Sequence, residues 1–565
     1  MLNKLKKDKF TLIFFLIIVI LGIFIRFHNF GEEGIQNDEM SIIPTGLLWF
    51  YDYPIYPGLS GQGEPALGNF FIGLGCMASG EDFSRVSETI PMFFPGREIL
   101  IGEALTNGEI FCYLPLYIFG ILFFIVITIL AFSILNRKGA LYATAFFAFW
   151  PFILESSRWI HLEIILYFFV ALGILFLWEA YKKEKQTKKE TLFFILSFAA
   201  FGLAFGTKFP AALYFLFAIF IILVKYKEET LKIISKIFNL KIIKEETKIQ
   251  PLIKILIVSI ISYIFFWLAG FKFSVKNFLA VLTKYRTVGG PEFSKFFNIK
   301  FFDTIYRLIT QFNIIDVILF AFSLYILVRL ISQKQKTKNE KFILYLAIFF
   351  WIAAISNTSM ILTRVLITFI IGLILIMSLA FSNERYSLFN IFKIKNKKIF
   401  FAIFLIVYIV FSFGISLKIS PYFSLRNKII CPASNDFCRP IQAGYFIKPT
   451  AEYLNSVLQD NETFMLKEGI IFFYLRREQG LLDWNFEQAF QKQVGRAPTI
   501  KEKIQYFKPN NRTIRYLLAD PLIPENNNFP EEVKQIMKQY KPNKIIEIND
   551  IEGVWIYDLL NMLPR

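Results

Sequence analysis

The sequence predicts a polytopic α-helical membrane protein of about eleven spans with an α/β domain at its C-terminal end. Three observations predict it. Apolar residues make up 55% of the 565 and charged residues only 19%, against roughly 45–50% and about 25% in soluble domains. Mean hydropathy is +0.50, and 69 phenylalanines exceed what one aqueous core of this length could hide. Lysine-rich tracts recur between the apolar runs, the mark of a chain oriented across a bilayer. Together these exclude a cytosolic enzyme, a disordered chain and a coiled coil.

A spanning helix needs about 20 mostly apolar residues. Candidates lie at 10–27, 111–135, 141–154, 162–181, 192–205, 209–224, 252–271, 314–331, 342–355, 362–381 and 399–417. The first reads as a span and not a signal peptide, because no small-residue cleavage site follows it. With the N-terminus in the cytoplasm, the basic segments 136–138, 182–190, 225–250, 332–341 and 382–398 all fall on the cytoplasmic side, as the positive-inside rule requires. An odd span count then places the C-terminal tail outside.

The chain therefore divides into a first transmembrane helix (1–27), a first outer loop with interfacial helices and acidic residues (28–109), a helical core (110–418) and an extracytoplasmic α/β domain (419–565). In that domain helix-like stretches at 450–458, 500–507 and 531–540 alternate with β-rich ones at 463–466, 470–475, 514–518, 544–548 and 554–557. The Lys/Ile/Phe/Asn-rich composition points to a prokaryotic plasma membrane.

The net charge of +18 sits in the short inner tracts, not along a continuous phosphate-binding face, so nucleic acid is not an expected partner. Four cysteines and two histidines exclude a disulfide scaffold, a paired-CxxC zinc site and a histidine-rich metal centre. Cys431 and Cys438 frame a short polar loop and are a candidate disulfide in an oxidising compartment.

Polar residues beside the apolar zone mark function in membrane proteins. The first outer loop is the densest such place, with Asn37-Asp38-Glu39 and then Glu64-Pro65. Two carboxylates from separate segments can divide the work of taking a proton and orienting an acceptor or binding a cation. The competing reading is that Asn37 or Asp38 caps the interfacial helix over 41–51. Arg158 and Glu163 join the third and fourth spans; a snorkelling anchor and an acid at a positive helix end are the alternatives there. Lys208, in Gly206-Thr-Lys-Phe-Pro210, and Arg364 stand on the outer side against the positive-inside tendency, which favours an anionic partner such as a phosphate.

In the order of these elements the chain resembles the GT-C glycosyltransferases, and most of all the group of protein O-mannosyltransferases and lipid A aminoarabinose transferases. The resemblance covers roughly the first 380 residues. It rests on Asp38-Glu39 after span one, Glu64-Pro65, Arg158 with an acid five residues later, Thr207-Lys208-Phe209-Pro210 and Arg364.

It implies inverting transfer from a polyprenyl- or dolichyl-phosphate sugar to a protein or glycolipid acceptor. Asp38 would be the base, Glu64 the second carboxylate, Lys208 and Arg364 the phosphate ligands, and Glu39, Arg158 and Glu163 their supports. A divalent cation, Mg or Mn, held by Asp38 and Glu64 is the one cofactor this leaves open. The chain departs from the family pattern in having Met40-Ser41 after the acidic pair and no His or Lys at the Glu64 turn. A secondary transporter or lipid-binding scaffold is the reading from another class. Against it, the notable charges lie at helix ends and not at span centres.

Overall fold

The computed structural model describes residues 9–29, 39–47, 49–50, 67–80, 109–158, 162–237, 250–271, 279, 314–356, 362–382, 393–419, 447–459, 462–465, 490, 494, 502, 513–519, 531–548 and 551–559. The chain forms two compact units: one from 1–28, 56–71 and 115–423, the other from 29–55, 72–114 and 424–565.

In chain order the helices are α1 (Lys9–Phe27), α2 (Glu39–Leu47), α3 (Leu67–Met77), α4 (Glu109–Ile134), α5 (Arg137–Phe149), α6 (Pro151–Ser156), α7 (Glu163–Lys182) and α8 (Lys188–Thr207). Then come α9 (Ala212–Lys225), α10 (Lys227–Ile237), α11 (Gln250–Ala269), α12 (Ile314–Ser332), α13 (Lys338–Ser356), α14 (Leu362–Ser382) and α15 (Lys397–Ile419). Among the described residues seven helices are long and apolar enough to cross a membrane: α1, α4, α7, α8, α11, α12 and α15.

The run expected to span at 141–154 is not one helix. α5 stops at Phe149, Trp150 is extended, and α6 restarts at Pro151. The residue before a proline is pushed out of the helical region, while proline itself suits a first helical position. The unpaired carbonyls at the end of α5 find partners elsewhere. The Arg26 guanidinium donates to the oxygens of Phe147 (3.0 Å) and Ala148 (3.2 Å), and to Gly22 of its own helix (2.6 Å). The Ser416 hydroxyl donates to Phe149 O (3.1 Å). Three of these carbonyl contacts thus tie α1, α5 and α15 together.

α7 and α8 form an antiparallel hairpin. The turn is set by Thr187, whose side chain accepts from the Glu190 N–H (3.2 Å), while the Glu190 carboxylate accepts from the Gln186 N–H (2.6 Å). Half of this is a capping box, the Thr187 side chain bonding the Glu190 N–H; the Glu190 carboxylate reaches back to the N–H one residue before the cap. At the other end of α8, Gly206 lies against Gly270, just past α11; a Cβ on Gly206 would meet the Gly270 backbone at 3.2 Å. Small residues at such crossings let helix backbones approach in a membrane.

The second unit holds α16 (Ile447–Val457), β1 (Glu462–Met465), β2 (Thr513–Ala519), α17 (Glu531–Gln539), β3 (Lys544–Ile548) and β4 (Ile551–Asp558). The strands fall on four of the five β-rich stretches read from the sequence; 470–475 lies outside the described residues. They form one sheet in the order β1-β2-β4-β3, with β1 and β2 parallel and the other pairs antiparallel. Arg515 on β2 bridges the sheet, bonding both Glu462 oxygens on β1 (2.8 and 2.9 Å) and lying 3.5 Å from Asp558 on β4. Its bond to Glu462 raises the guanidinium pKa above its ordinary value.

This unit also contains a disulfide between Cys76, at the end of α3, and Cys112, at the start of α4. The sequence reading did not find this pair. The pairing read there, Cys431 with Cys438, lies outside the described residues.

Candidate functional site

Three of the charged residues singled out in the sequence are described with their side chains, all in the helical unit and all at the same end of the α7–α8 hairpin. Glu163 is the first residue of α7, where a carboxylate faces the positive end of the helix dipole. Lys208 follows the last residue of α8 and leaves the helix in an extended conformation, because Phe209-Pro210-Ala211 turns as a short 3-10 segment. Two antiparallel helices of 20 residues each bring the start of the first beside the end of the second.

The two side chains meet there. Lys208 Nζ donates to Glu163 Oε1 at 2.8 Å, and the residues are only 3% and 4% exposed. A buried lysine–carboxylate pair is weak evidence for stability, because taking both charges out of water costs about what their attraction returns. What it does secure is a cation in a fixed place.

Arg158 stands five residues before Glu163 and is fully buried at 0% exposure. It donates to the Tyr117 hydroxyl on α4 (3.2 Å) and to the carbonyl of His28 beyond α1 (2.6 Å). Its guanidinium also lies over the Tyr117 ring, 5.8 Å from the centroid, and Phe27 stacks on that ring at 5.6 Å. The snorkelling anchor is thus replaced by a buried clamp between the ends of α1, α4 and α6. Tyr117 was not singled out in the sequence, since an aromatic in an apolar run carries no signal there.

The start of α3 docks onto the same end. A Cβ on Gly68 would lie 2.8 Å from Leu162 and 2.9 Å from Thr207. Those are the residues immediately before Glu163 and Lys208, so α3 starts tightly packed beside the neighbours of the ion pair, and a larger residue at 68 would have to push their side chains aside. Further along α3, Phe71 packs on Phe119 of α4 (4.9 Å) and Phe169 of α7 (6.3 Å).

Asp38 and Glu64 lie outside the described residues. Glu39 opens α2 and Arg364 lies in α14; for both, the backbone alone is described. Among the described residues no group of three or more His, Cys, Asp or Glu could hold a metal ion. The two carboxylates read as cation contacts are not among those residues.

A family model, dolichyl-phosphate-mannose-protein mannosyltransferase, matches residues 112–283, a segment that takes in Tyr117, Arg158, Glu163 and Lys208. In fold, the chain is similar to ArnT from Cupriavidus metallidurans in the apo state, with a TM-score of 0.50 and 13% identity over 97% of this chain and 99% of that one. It is also similar to the same ArnT bound to undecaprenyl phosphate (0.49, 12%, covering 96% and 97%). A third likeness is to the oligosaccharyltransferase AglB from Archaeoglobus fulgidus in complex with an inhibitory peptide and a dolichol-phosphate (0.48, 10%, covering 99% and 75%). No curated protein matches the sequence. The chain is thus similar to a mannosyltransferase family over this one segment and to a membrane transferase in fold.

Proposed function

We propose that the protein transfers a sugar from a polyprenyl- or dolichyl-phosphate donor to a protein or glycolipid acceptor on the outer face of the membrane, with inversion at the anomeric carbon. The observation that carries this reading is the buried Lys208, fixed by Glu163 where α7 begins and α8 ends. The name of the matched family supports a lipid-phosphate sugar as donor.

In the proposed reaction Asp38 takes the proton from the acceptor as its oxygen attacks the anomeric carbon. The bond from that carbon to the phosphate oxygen breaks, and its electron pair leaves with the lipid phosphate. Lys208 as a point charge and Arg364 as a fork stabilise that departing charge. Glu64 orients the acceptor, and with Asp38 is where a divalent cation, Mg or Mn, would bind and add Lewis acidity. Glu163 holds Lys208 in place before the donor arrives. Arg158 holds the ends of α1 and α4 around the site, and Glu39 supports the base. The Cys76–Cys112 bond supports an outward first loop, because disulfides persist in oxidising compartments.

The test is incubation of the purified protein with a series of radiolabelled polyprenyl-phosphate sugars and membrane extract. Label passing to a protein or glycolipid supports the reading and names donor and acceptor together. Retention of donor without transfer favours a lipid-binding scaffold. Asp38→Asn is expected to abolish transfer while donor binding stays largely intact; wild-type transfer by that variant removes the base assignment.

A further inference from the structure

We propose that Asn69 recognises a hydroxyl group of the transferred sugar. This rests on the glycosyltransferase reading above and deepens it by assigning the sugar its own contact. α3 reads Leu67-Gly-Asn-Phe-Phe-Ile-Gly-Leu-Gly-Cys-Met77, so Asn69 is the one amide in a helix otherwise apolar or glycine. It is 2% exposed, and its Oδ1 has no hydrogen-bond partner among the described residues. Buried amide oxygens are almost always satisfied, and away from water an unsatisfied one is costly. An apolar side chain would serve packing better at this position. The amide is therefore unexplained by the helix it belongs to.

Its place in the unit gives the explanation. The neighbouring Gly68 sits against Leu162 and Thr207, which puts Asn69 one residue from the contact that flanks Glu163 and Lys208. An orphaned carbonyl oxygen calls for a donor. Ionised phosphate oxygens only accept, whereas sugar hydroxyls donate. A lipid-phosphate sugar presents its phosphate, then its anomeric carbon, then its ring hydroxyls. With the phosphate at Lys208, a ring hydroxyl reaches the next polar group, and Asn69 supplies the acceptor that fits it. A pocket built to bond a hydroxyl also discriminates strongly against a donor that lacks it.

The experiment compares the full-length wild type with Asn69→Leu, a substitution of similar volume, and with Asn69→Ala, in lipid nanodiscs. Donors are a panel of polyprenyl-phosphate sugars, intact and with single hydroxyls replaced by hydrogen. Both variants are expected to lose roughly 10–100-fold in kcat/KM on the intact donor. For one deoxy donor the wild type falls by a similar factor and the variants lose nothing more. Sugar-free polyprenyl phosphate binds wild type and variants alike, and the Tm of Asn69→Leu is unchanged or higher.

A lower Tm or loss of folded Asn69→Leu shows a structural amide and overturns the proposal. So does an equal loss on every deoxy donor, or a matching loss in binding sugar-free polyprenyl phosphate. If the wild type transfers no sugar from any donor, the functional reading falls and Asn69 with it. Wild-type transfer without a hydroxyl-specific loss removes the Asn69 assignment alone.

Discussion

The two ends of the α7–α8 hairpin both bury a lysine against a glutamate, yet they are built differently. At the turn end, Lys225 bonds Glu190 (2.7 Å) and also the carbonyls of Ala180 (2.6 Å) and Lys183 (3.0 Å). Glu190 in turn accepts from the Tyr226 hydroxyl (3.0 Å) and the Gln186 N–H (2.6 Å). Nearby, Lys185 pairs with Glu229 of α10 (3.1 Å). These charges close helix ends and a turn, so most of their partners belong to the backbone or to a neighbouring cap.

At the opposite end, Lys208 and Glu163 are joined side chain to side chain, and the elements around them are brought close by Gly68 and Gly206. The comparison teaches that burial of an ion pair does not reveal its purpose. The turn-end pair is woven into caps that hold the fold, whereas the Lys208–Glu163 pair stands where Gly68 and Gly206 let neighbouring elements pack closely.

The comparison breaks most sharply if its structural half is wrong. Glu190→Ala leaves Lys225 buried without its acid and is expected to lower stability by about 3–5 kcal/mol, measured by thermal unfolding in detergent, with transfer per folded molecule unchanged. A variant as stable as wild type would show that the turn-end network is not a latch.

Next comes the functional half. Lys208→Met is expected to slow transfer on the order of 10²–10³-fold, in initial rates normalised to folded protein. Adding Glu163→Leu to it removes the stranded carboxylate, and this double variant is expected to recover thermal stability but not rate. Recovery of rate as well would reassign the pair to structure.

The disulfide gives a third, smaller effect. Cys76→Ser is expected to cost about 2–4 kcal/mol, seen as a lower Tm that reductant reproduces in the wild type. An unchanged Tm in both would show that the bond does not form.

The last concerns the sheet unit, which has no part in the hairpin. Burial pushes the Tyr557 hydroxyl up to about 12 from its ordinary 10. The folded form thus keeps its proton after the unfolded form has lost it. Tyr557 contributes its full stability below pH 10, and that contribution is lost as pH rises toward 12. Tyr557→Phe is expected to flatten this alkaline loss in unfolding curves; an unchanged slope would place the effect on another group.

Much of the fold was legible because apolar runs and basic tracts are one-dimensional signals. The helices fall on the runs, and four strands fall on the alternating stretches. The break at Trp150-Pro151 was written in the proline but overruled by the hydropathy of 141–154. The site was legible as a set of helix-end charges and not as a set of contacts. Lys208 and Glu163 are 45 residues apart, and only the hairpin geometry makes them neighbours. Tyr117 and Asn69 were illegible because an aromatic and a lone amide in apolar helices look like ordinary packing until the bond made to Tyr117 and the unpaired oxygen of Asn69 are known. The Cys76–Cys112 bond was missed because cysteine spacing carries no pairing information when both residues lie in apolar runs.

That bond has a topological consequence. It ties residues 36 apart into a covalent ring, so a protease cutting once between Cys76 and Cys112 would open the ring without severing the molecule. The nicked protein would run as a single species on a denaturing gel until a thiol was added, and then as two.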